Sequence, residues 1–413
     1  MVAKGKSLSK GRIYYSFIVM YLLFMADFMC RVGVNSLFPI IQKDLHLTDG
    51  QIGTLGSIVL VGMAVCVLPV SYLADKFSRK KAVVVLSIIW GSGTIVSALA
   101  DSYSTLVISR LLVGFGNSAY AAISVAILSG WFSEEKRGKA ISLYDTAMGL
   151  GFAVASSLCG IMAGFMGWRA SLIFVGSCSL VLSVMSLFIK EGNQVESAQN
   201  EEKKKVDVGS ALRALLKNKP LLLFSGGAAF NNLMYAATFG WMSMFMVREM
   251  NYSLALAGSV AGAISLLGIV GYPIGGVIID KWYKKDIRSR AWLYSICNVV
   301  YGLCNILDIY LHFIPLLFIG YFIQTMSVAA PHIATQELVE ERFRAVSYGV
   351  YVVFIQALGA VGPLLVGVLS ENYGLTIALV VVEFAGFITA GLSLWAARYY
   401  KEVYNAVKKE EQC

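Results

Sequence analysis

Charge is what this chain has least of. Only 14% of its 413 residues are Asp, Glu, Lys or Arg, against roughly 25% in a soluble chain, which excludes an ordinary water-facing domain. Metal-binding patterns are also missing. His46, His312 and His332 are scattered, and no CxxC spacing occurs, so no zinc constellation is expected. The seven cysteines are an odd number. Six of them, Cys30, Cys66, Cys159, Cys178, Cys297 and Cys304, fall in apolar stretches, where a buried thiol behaves as a small hydrophobe. Neither a disulfide nor a metal is expected. The chain has no P-loop, which argues against direct ATP coupling. It also shows no nucleophile–base pairing, so no enzyme and no cofactor are expected.

What the chain has instead is apolar length. Hydrophobic residues make up 57% and the mean hydropathy is +0.69. Crossing about 30 Å of hydrocarbon takes about 20 apolar residues in a helix. Twelve such windows occur, near 14–37, 50–73, 82–100, 104–131, 139–165, 169–189, 219–247, 253–279, 290–309, 313–338, 344–369 and 374–398. Lys4, Lys6, Lys10 and Arg12 before the first window resemble the charged region of a signal peptide. The apolar run is too long for one, and no small-residue cleavage site follows, so it is expected to remain as a helix. The expected fold is therefore all-α and polytopic.

The chain also repeats itself. Ser71-Tyr-Leu-Ala-Asp75-Lys-Phe-Ser-Arg79-Lys80-Lys81 returns in degenerate form as Gly276-Val-Ile-Ile-Asp280-Lys-Trp-Tyr-Lys284-Lys285, with Asp75 and Asp280 separated by 205 positions. The same offset relates Arg137 to Arg342, Lys139 to Arg344, Ala140 to Ala345 and Ser142 to Ser347. A repeat of half the chain means two tandem copies of one bundle. Expected boundaries are 1–190 for the first six-helix bundle, 191–218 for a polar linker, 219–398 for the second bundle and 399–413 for a tail. The acidic–basic loop at Asp75 and Arg79 matches the best-known signature of major facilitator transporters, and the chain resembles that superfamily over essentially its whole length. The resemblance implies twelve helices in two pseudo-symmetric six-helix bundles, alternating access about a central site, and no enzymatic activity.

Basic residues set an expected orientation. Loops of one parity, with the tails, carry 29 Lys and Arg; those of the other carry only Lys43, Arg169 and Arg248. The positive-inside rule places both termini and the linker in the cytoplasm of a cell (inner) membrane. The net charge of +9 is then loop charge meeting anionic lipid headgroups, and no nucleic-acid partner is expected. Asn251-Tyr-Ser253 fits a glycosylation sequon, a pattern that chance matches often produce.

In the superfamily the loop after the second helix latches the two halves. The resemblance therefore implies a gating role for Asp75, Arg79 and Lys80 and for their counterparts Asp280, Lys284 and Arg342. Here Ser71 and Ser78 stand where the family usually has glycine. Arg110-Leu-Leu-Val-Gly114-Phe-Gly116 matches its R-x-x-x-G-x-G element in the fourth helix. The glycines, with Ala119, Ala121 and Ala122, make a small-residue packing surface. The fifth helix lacks the Gly-Pro element of the superfamily's drug antiporters; the nearest Gly-Pro is Gly362-Pro363.

Polar groups inside the hydrocarbon mark function, because a charge at the bilayer centre costs roughly 2.5–3.5 kcal/mol on insertion scales. Helical rise places Asp27, Asn117, Asn231, Asn232, Gln324 and Gln356 near mid-depth, with Arg31 and Arg110 further out. Asp27, Arg31 and Asn35 follow an i, i+4, i+8 spacing and are expected on one face. Two accounts stand side by side: Asp27 and Arg31 neutralise each other for insertion, or Arg31 holds a substrate anion while Asp27 titrates. Arg110 is either a second anion ligand or a structural residue. Tyr120, Tyr144, Tyr235 and Trp241 are cavity-lining candidates. Asp145 and Glu383 are read as the other intramembrane carboxylates and, with Asp27, as candidates for proton coupling.

Within the superfamily, the Asp27–Arg31 segment, the Gly167-Trp168-Arg169 turn and the helix-four segment most resemble the anion:cation symporter and spinster-like branches. Two cations and few acids in the membrane interior would attract negative charge, so the expected function is proton-coupled movement of a small organic anion such as a carboxylate or acidic sugar, and a monomer is expected. Two alternatives remain open: export of amphipathic or lipid-like compounds, and drug/proton antiport. A channel would need a pore ring, and the sequence shows only isolated charges.

Overall fold

The computed structural model describes residues 10–132, 134–189, 215–340 and 343–412, without the side chains of Lys10, Asp75, 134–136, Ala345 and 410–412. Arg342, the Asp75 side chain and most of the 191–218 linker lie outside the described residues. Everything described is helix, turn or short connection, as a chain crossing lipid requires, since backbone polar groups there must be satisfied within the segment.

Fourteen α-helices follow in chain order: α1 Lys10–Val32, α2 Phe38–Leu45, α3 Asp49–Lys76, α4 Arg79–Ala98, α5 Tyr103–Asn117, α6 Tyr120–Ser129, α7 Glu134–Ser186, α8 Lys219–Arg248, α9 Leu254–Tyr283, α10 Ser289–Leu311, α11 Ile314–Thr325, α12 Ala329–Glu337, α13 Arg344–Tyr373 and α14 Leu375–Gln412. Among the described residues, ten stretches are long and apolar enough to span a bilayer, one of them the 50-residue run Arg137–Ser186. That run breaks at Gly167, whose φ of 81° and ψ of 166° are non-helical, and its length is far beyond one bilayer thickness. It makes two passes. The 30-residue α8, more polar because of Asn231, Asn232 and its serines and glycines, is the twelfth. Spans four and ten are each built from two short helices, α5–α6 and α11–α12.

The repeat is visible in the backbone. His46 and Asn251, 205 residues apart, both adopt positive φ, 51° and 56°, where the second and eighth spans are about to begin. Gly167 and Gly374 turn the chain between spans five and six and between eleven and twelve with φ of 81° and 84°. That conformation is open to glycine and strained for any other residue.

Contacts divide the chain into two compact units. The first gathers the described residues of Met1–His46, Val61–Lys204 and Ser253–Gly262; the second gathers those of Leu47–Leu60, Lys205–Tyr252 and Ala263–Cys413. In the first, Phe24 stacks on Tyr144 with centroids 4.7 Å apart, and Trp90 meets Tyr120 edge-on at 4.9 Å. In the second, Phe224, Tyr294, Cys297, Ala397 and Tyr400 form a buried cluster.

Small residues allow helices to cross closely. In the second unit, a Cβ on Gly53 would lie 2.5 Å from the Pro363 carbonyl oxygen, and one on Gly367 would lie 2.5 Å from that of Asp49. In the first, a Cβ on Gly258 would collide with the Ser156 carbonyl, and one on Gly160 would lie 2.8 Å from that of Leu254. Gly53 and Gly258 are related by the 205-residue offset.

Candidate functional site

In the first unit the polar groups gather where α1 ends. The helix stops at Val32, and Asn35 opens a separate 3-10 turn, Asn35–Leu37. The expected face of Asp27, Arg31 and Asn35 therefore extends only over the first two. The broken end leaves carbonyls without helical donors, and Arg110 supplies them: Nη1 donates to the Cys30 carbonyl at 2.9 Å and Nη2 to that of Arg31 at 2.6 Å. Arg110 is 1% exposed, and its Nε has no partner. Its fork is occupied by backbone.

Asp27 is buried, and Asn117, with its amide turned so that nitrogen faces the acceptors, donates to Asp27 Oδ1 at 3.0 Å and to the Val113 carbonyl at 3.3 Å. Asn117 can do this because α5 ends there, before the break at Ser118 and Ala119. Arg31 differs from Arg110. It is half-buried, its guanidinium stands 4.1 Å from the Phe28 ring centroid, and Nη1 lies 3.5 Å from Met63 Sδ. Tyr120 is fully buried and donates to the Met20 carbonyl at 3.0 Å. Asp145 is exposed on α7.

The second unit holds amides where the first holds charges. Asn231 Nδ2 donates to Asn298 Oδ1 at 2.6 Å, and Gln324 Nε2 reaches the same oxygen at 3.5 Å. Asn232 Nδ2 donates to the Ile355 carbonyl at 2.7 Å, one turn from Gly359, where any Cβ would meet the Asn232 amide. Tyr235 lies beside Tyr321, their hydroxyls 3.5 Å apart. Trp241 is buried and donates to the Pro363 carbonyl at 3.0 Å. Gln356 is half-buried on α13.

Glu383 belongs to the interior. It is 0% exposed, and Oε1 accepts from Thr238 Oγ1 at 2.6 Å and from Asn305 Nδ2 at 3.1 Å. The expectation of only two further intramembrane carboxylates is corrected by Asp308, buried on α10. Sequence reading missed Asn298, Asn305 and Asp308, although a signal existed. Tyr294, Asn298, Tyr301, Asn305 and Asp308 recur at intervals of four and three inside one apolar window, which is the period of one helix face.

Of the gating candidates, Arg79 opens α4 and Lys80 follows it, both half-buried, while Asp280 and Lys284 are exposed at and beyond the end of α9. A separate cavity of about 390 Å³ in the second unit is lined by His332, Ile333, Gln336, Glu337, Arg344, Tyr404 and Lys408. Beside it Glu337 pairs with the buried Arg290.

Each repeat thus has a broken span beside a polar cluster. The chain is 24% identical to the hexuronate transporter of Bacillus subtilis over 86% of its own length and 88% of that protein's. It is also 24% identical to an MFS-type efflux pump of Mycolicibacterium smegmatis, over 89% of each chain. Its fold matches the crystal structure of a bacterial homologue of the human lysosomal transporter Spinster, inward-facing and unoccupied, with a TM-score of 0.81 at 18% identity over 97% of this chain and 99% of that one. The family model of the Major Facilitator Superfamily matches residues 18–363. This multi-pass membrane protein belongs to that superfamily, as a transporter of small molecules and not an enzyme.

Proposed function

We propose that the protein is a proton-coupled secondary carrier of a small organic anion, such as a carboxylate or acidic sugar, working by alternating access. The observation that carries this is the unequal treatment of two guanidinium groups in the first unit. Arg110 is enclosed and bonded to carbonyls, whereas Arg31 keeps exposed surface within a membrane span. Arginine's planar fork suits a carboxylate, so Arg31 is the anion ligand and Arg110 the residue that holds the end of α1 in place. The alternative in which Asp27 serves only to neutralise Arg31 is weakened by Asn117, which gives the carboxyl a partner of its own. Asp27 is the proton-linked group, with Asp145 next in line. The similarity to a hexuronate transporter supports an acidic sugar as substrate.

The count of 29 basic residues against 3 in the loops supports cytoplasmic termini in a cell membrane. The apolar-export reading is favoured by the equal similarity to an efflux pump, and one experiment separates the two. In proteoliposomes, labelled glucuronate is expected to show counterflow and proton-driven accumulation. Hydrogen bonds to a charged group are worth about 1.5–3 kcal/mol, hence roughly a 10- to 100-fold weaker affinity in Arg31→Ala. Asp27→Asn is expected to keep counterflow and lose accumulation. Conductance without exchange, or thermal stabilisation by amphipathic cations and not by carboxylates, contradicts the proposal.

A further inference from the structure

The second unit contains a buried line of polar groups that substrate binding does not explain. Along α10, Tyr294, Asn298, Tyr301, Asn305 and Asp308 share one face, and each is 4% exposed or less. From Asn298 to Asp308 this face runs about 15 Å at 1.5 Å per residue. At one end Asn298 joins the Asn231 and Gln324 amides. Midway, Asn305 holds Glu383. Along the line, the Tyr301 hydroxyl, Asn305 Oδ1, Asp308 Oδ1, Glu383 Oε2 and Gln324 Oε1 are buried without a hydrogen-bond partner in the protein.

Each such orphan costs about 1–3 kcal/mol, and the fold does not require them. In the first repeat the corresponding third span buries Val83, Val84, Leu86, Ser87, Trp90, Gly91, Gly93, Thr94, Ser97 and Ala98, and the sixth span carries no charged or amide residue over 170–186. The same architecture therefore packs there without a charged or amide side chain. A costly polar line that the fold can do without is the mark of a functional path.

Proton counting singles out Glu383. The Thr238 hydroxyl lies 2.9 Å from the Met234 carbonyl and 2.6 Å from Glu383 Oε1, and its one hydrogen can serve only one of them. When Thr238 donates to Met234, the short contact to Oε1 needs a proton on Glu383. When Glu383 is ionised, the hydroxyl turns and donates to it. The threonine hydroxyl thus accommodates both states by a single rotation. The groups facing Glu383 are Thr238 from α8 and Asn305 and Tyr301 from α10. The charged residues of the neighbouring α13, Arg344 and Glu371, lie near its ends, and among the described residues no salt bridge reaches Glu383.

We propose that this line, from Asp308 through Asn305 and Glu383 to the Asn298–Asn231–Gln324 amides, is the proton path of the second unit, with Glu383 as the group that takes up and releases the proton. In the uptake step a proton arriving from the Asp308 end adds to a Glu383 carboxylate oxygen, and Thr238 returns its hydrogen to the Met234 carbonyl. Release is the reverse. The inference rests on the proton-coupled reading above and adds to it a route through the second unit, with Glu383, already a coupling candidate by sequence, as the group on that route.

Infrared difference spectroscopy on the protein in lipid tests it without any substrate. Wild type is expected to show a protonated-carboxyl C=O band that Glu383→Gln lacks, and that band is expected to shift in D2O. In Asp308→Asn the band should remain but its D2O shift should be delayed, a second readout if the glutamine variant folds poorly. In proteoliposomes, Glu383→Gln is expected to keep glucuronate counterflow and lose proton-driven accumulation. Identical wild-type and Glu383→Gln spectra at every pH, or a band that never shifts in D2O, overturn the inference. So does full accumulation in Glu383→Gln. Absence of counterflow in wild type with the infrared result intact would instead count against the carrier reading alone.

Discussion

In the first repeat, Asp27, Arg31 and Arg110 put charge on the first and fourth spans. At the 205-residue offset Asn232 and Ala236 stand where Asp27 and Arg31 do, and the tenth span carries no charge before Glu337 at its end. Charge appears in the second repeat on the ninth and twelfth spans, as Asp308 and Glu383, whereas the third and sixth spans carry none over 82–98 and 170–186. What the repeats share is backbone: Gly53 with Gly258 at close crossings, His46 with Asn251 at positive φ, and Gly167 with Gly374 at the turns. Positions that agree across the repeat serve the shared fold, and the two residues to which we assign chemistry, Arg31 and Glu383, both lie where the repeats disagree.

The sharpest way to break this comparison is Arg110→Gln. If Arg110 is a structural member of the first repeat, its loss leaves the Cys30 and Arg31 carbonyls without their donor. Each orphaned carbonyl costs about 1–3 kcal/mol. A large fall in the melting temperature of the detergent-solubilised protein is expected, with substrate affinity in the surviving folded fraction nearly unchanged. A variant that melts like wild type but no longer binds glucuronate would make Arg110 an anion ligand and return both arginines to the site.

Next in size is a matched pair of substitutions that the comparison requires to behave alike. Gly53→Ala and Gly258→Ala each drive a methyl group into a carbonyl of the facing helix, and overpacking of this kind costs roughly 1–3 kcal/mol. The two crossings differ in one respect. Next to Gly53, Arg248 forms a two-pronged pair with Asp49 at 2.6 and 2.9 Å, and Glu371 Oε1 accepts from the Gly50 amide at 2.8 Å. The nearest atoms at the Gly258 crossing are backbone atoms of Ser156 and Gly160. Salt screens exposed charge, so raising it is expected to lower the melting temperature of Gly53→Ala more than that of Gly258→Ala. Equal salt sensitivity would show that the ion pair adds nothing.

Length, apolar windows and the repeat made the fold legible before any coordinates, because membrane spans are set by hydropathy over about 20 residues. The breaks inside spans were not legible. Span one ends at Val32, span four breaks at Ser118–Ala119 and span ten at Met326–Val328, and none of these breaks contains proline. They are held by tertiary contacts such as Arg110 on the α1 carbonyls and Asn117 on Asp27, which hydropathy does not register. Depth arithmetic found Asp27, Asn231, Asn232 and Gln324 because it looked at mid-membrane on the inner helices. Asn298, Asn305 and Asp308 are legible in the ninth span only as a three- and four-residue period and not by depth. Depth also cannot tell the buried Glu383 from the exposed Asp145, since burial on a given side is a property of packing and not of position along the chain.

The smallest effect is expected where the repeats solve one local problem in two ways. The third span begins with Ser78 accepting from the Lys81 amide at 3.3 Å. In the turn before the ninth span, which starts at Ser289 without a side-chain cap, Asp286 Oδ1 accepts from the Arg288 amide at 2.8 Å while the Arg288 guanidinium closes on Oδ2 at 2.7 Å. Both groups lie in the loop outside the spans, where the side-chain hydrogen bond from Arg288 holds the Asp286 carboxyl below its ordinary range. A carboxyl depressed on folding contributes stability that is fully present above its unfolded value, about 3.9, and is lost as pH falls through the lower folded value. The melting-temperature difference between wild type and Asp286→Asn is therefore expected to be small and constant at neutral pH and to disappear only in acid. Ser78→Ala, which removes a neutral cap of the kind usually worth about 1 kcal/mol, is expected to show a difference that does not change with pH. A difference for Asp286→Asn that persists unchanged into acid would mean that it does not come from the carboxylate's charge, and that charge has no part in ordering the turn before this helix.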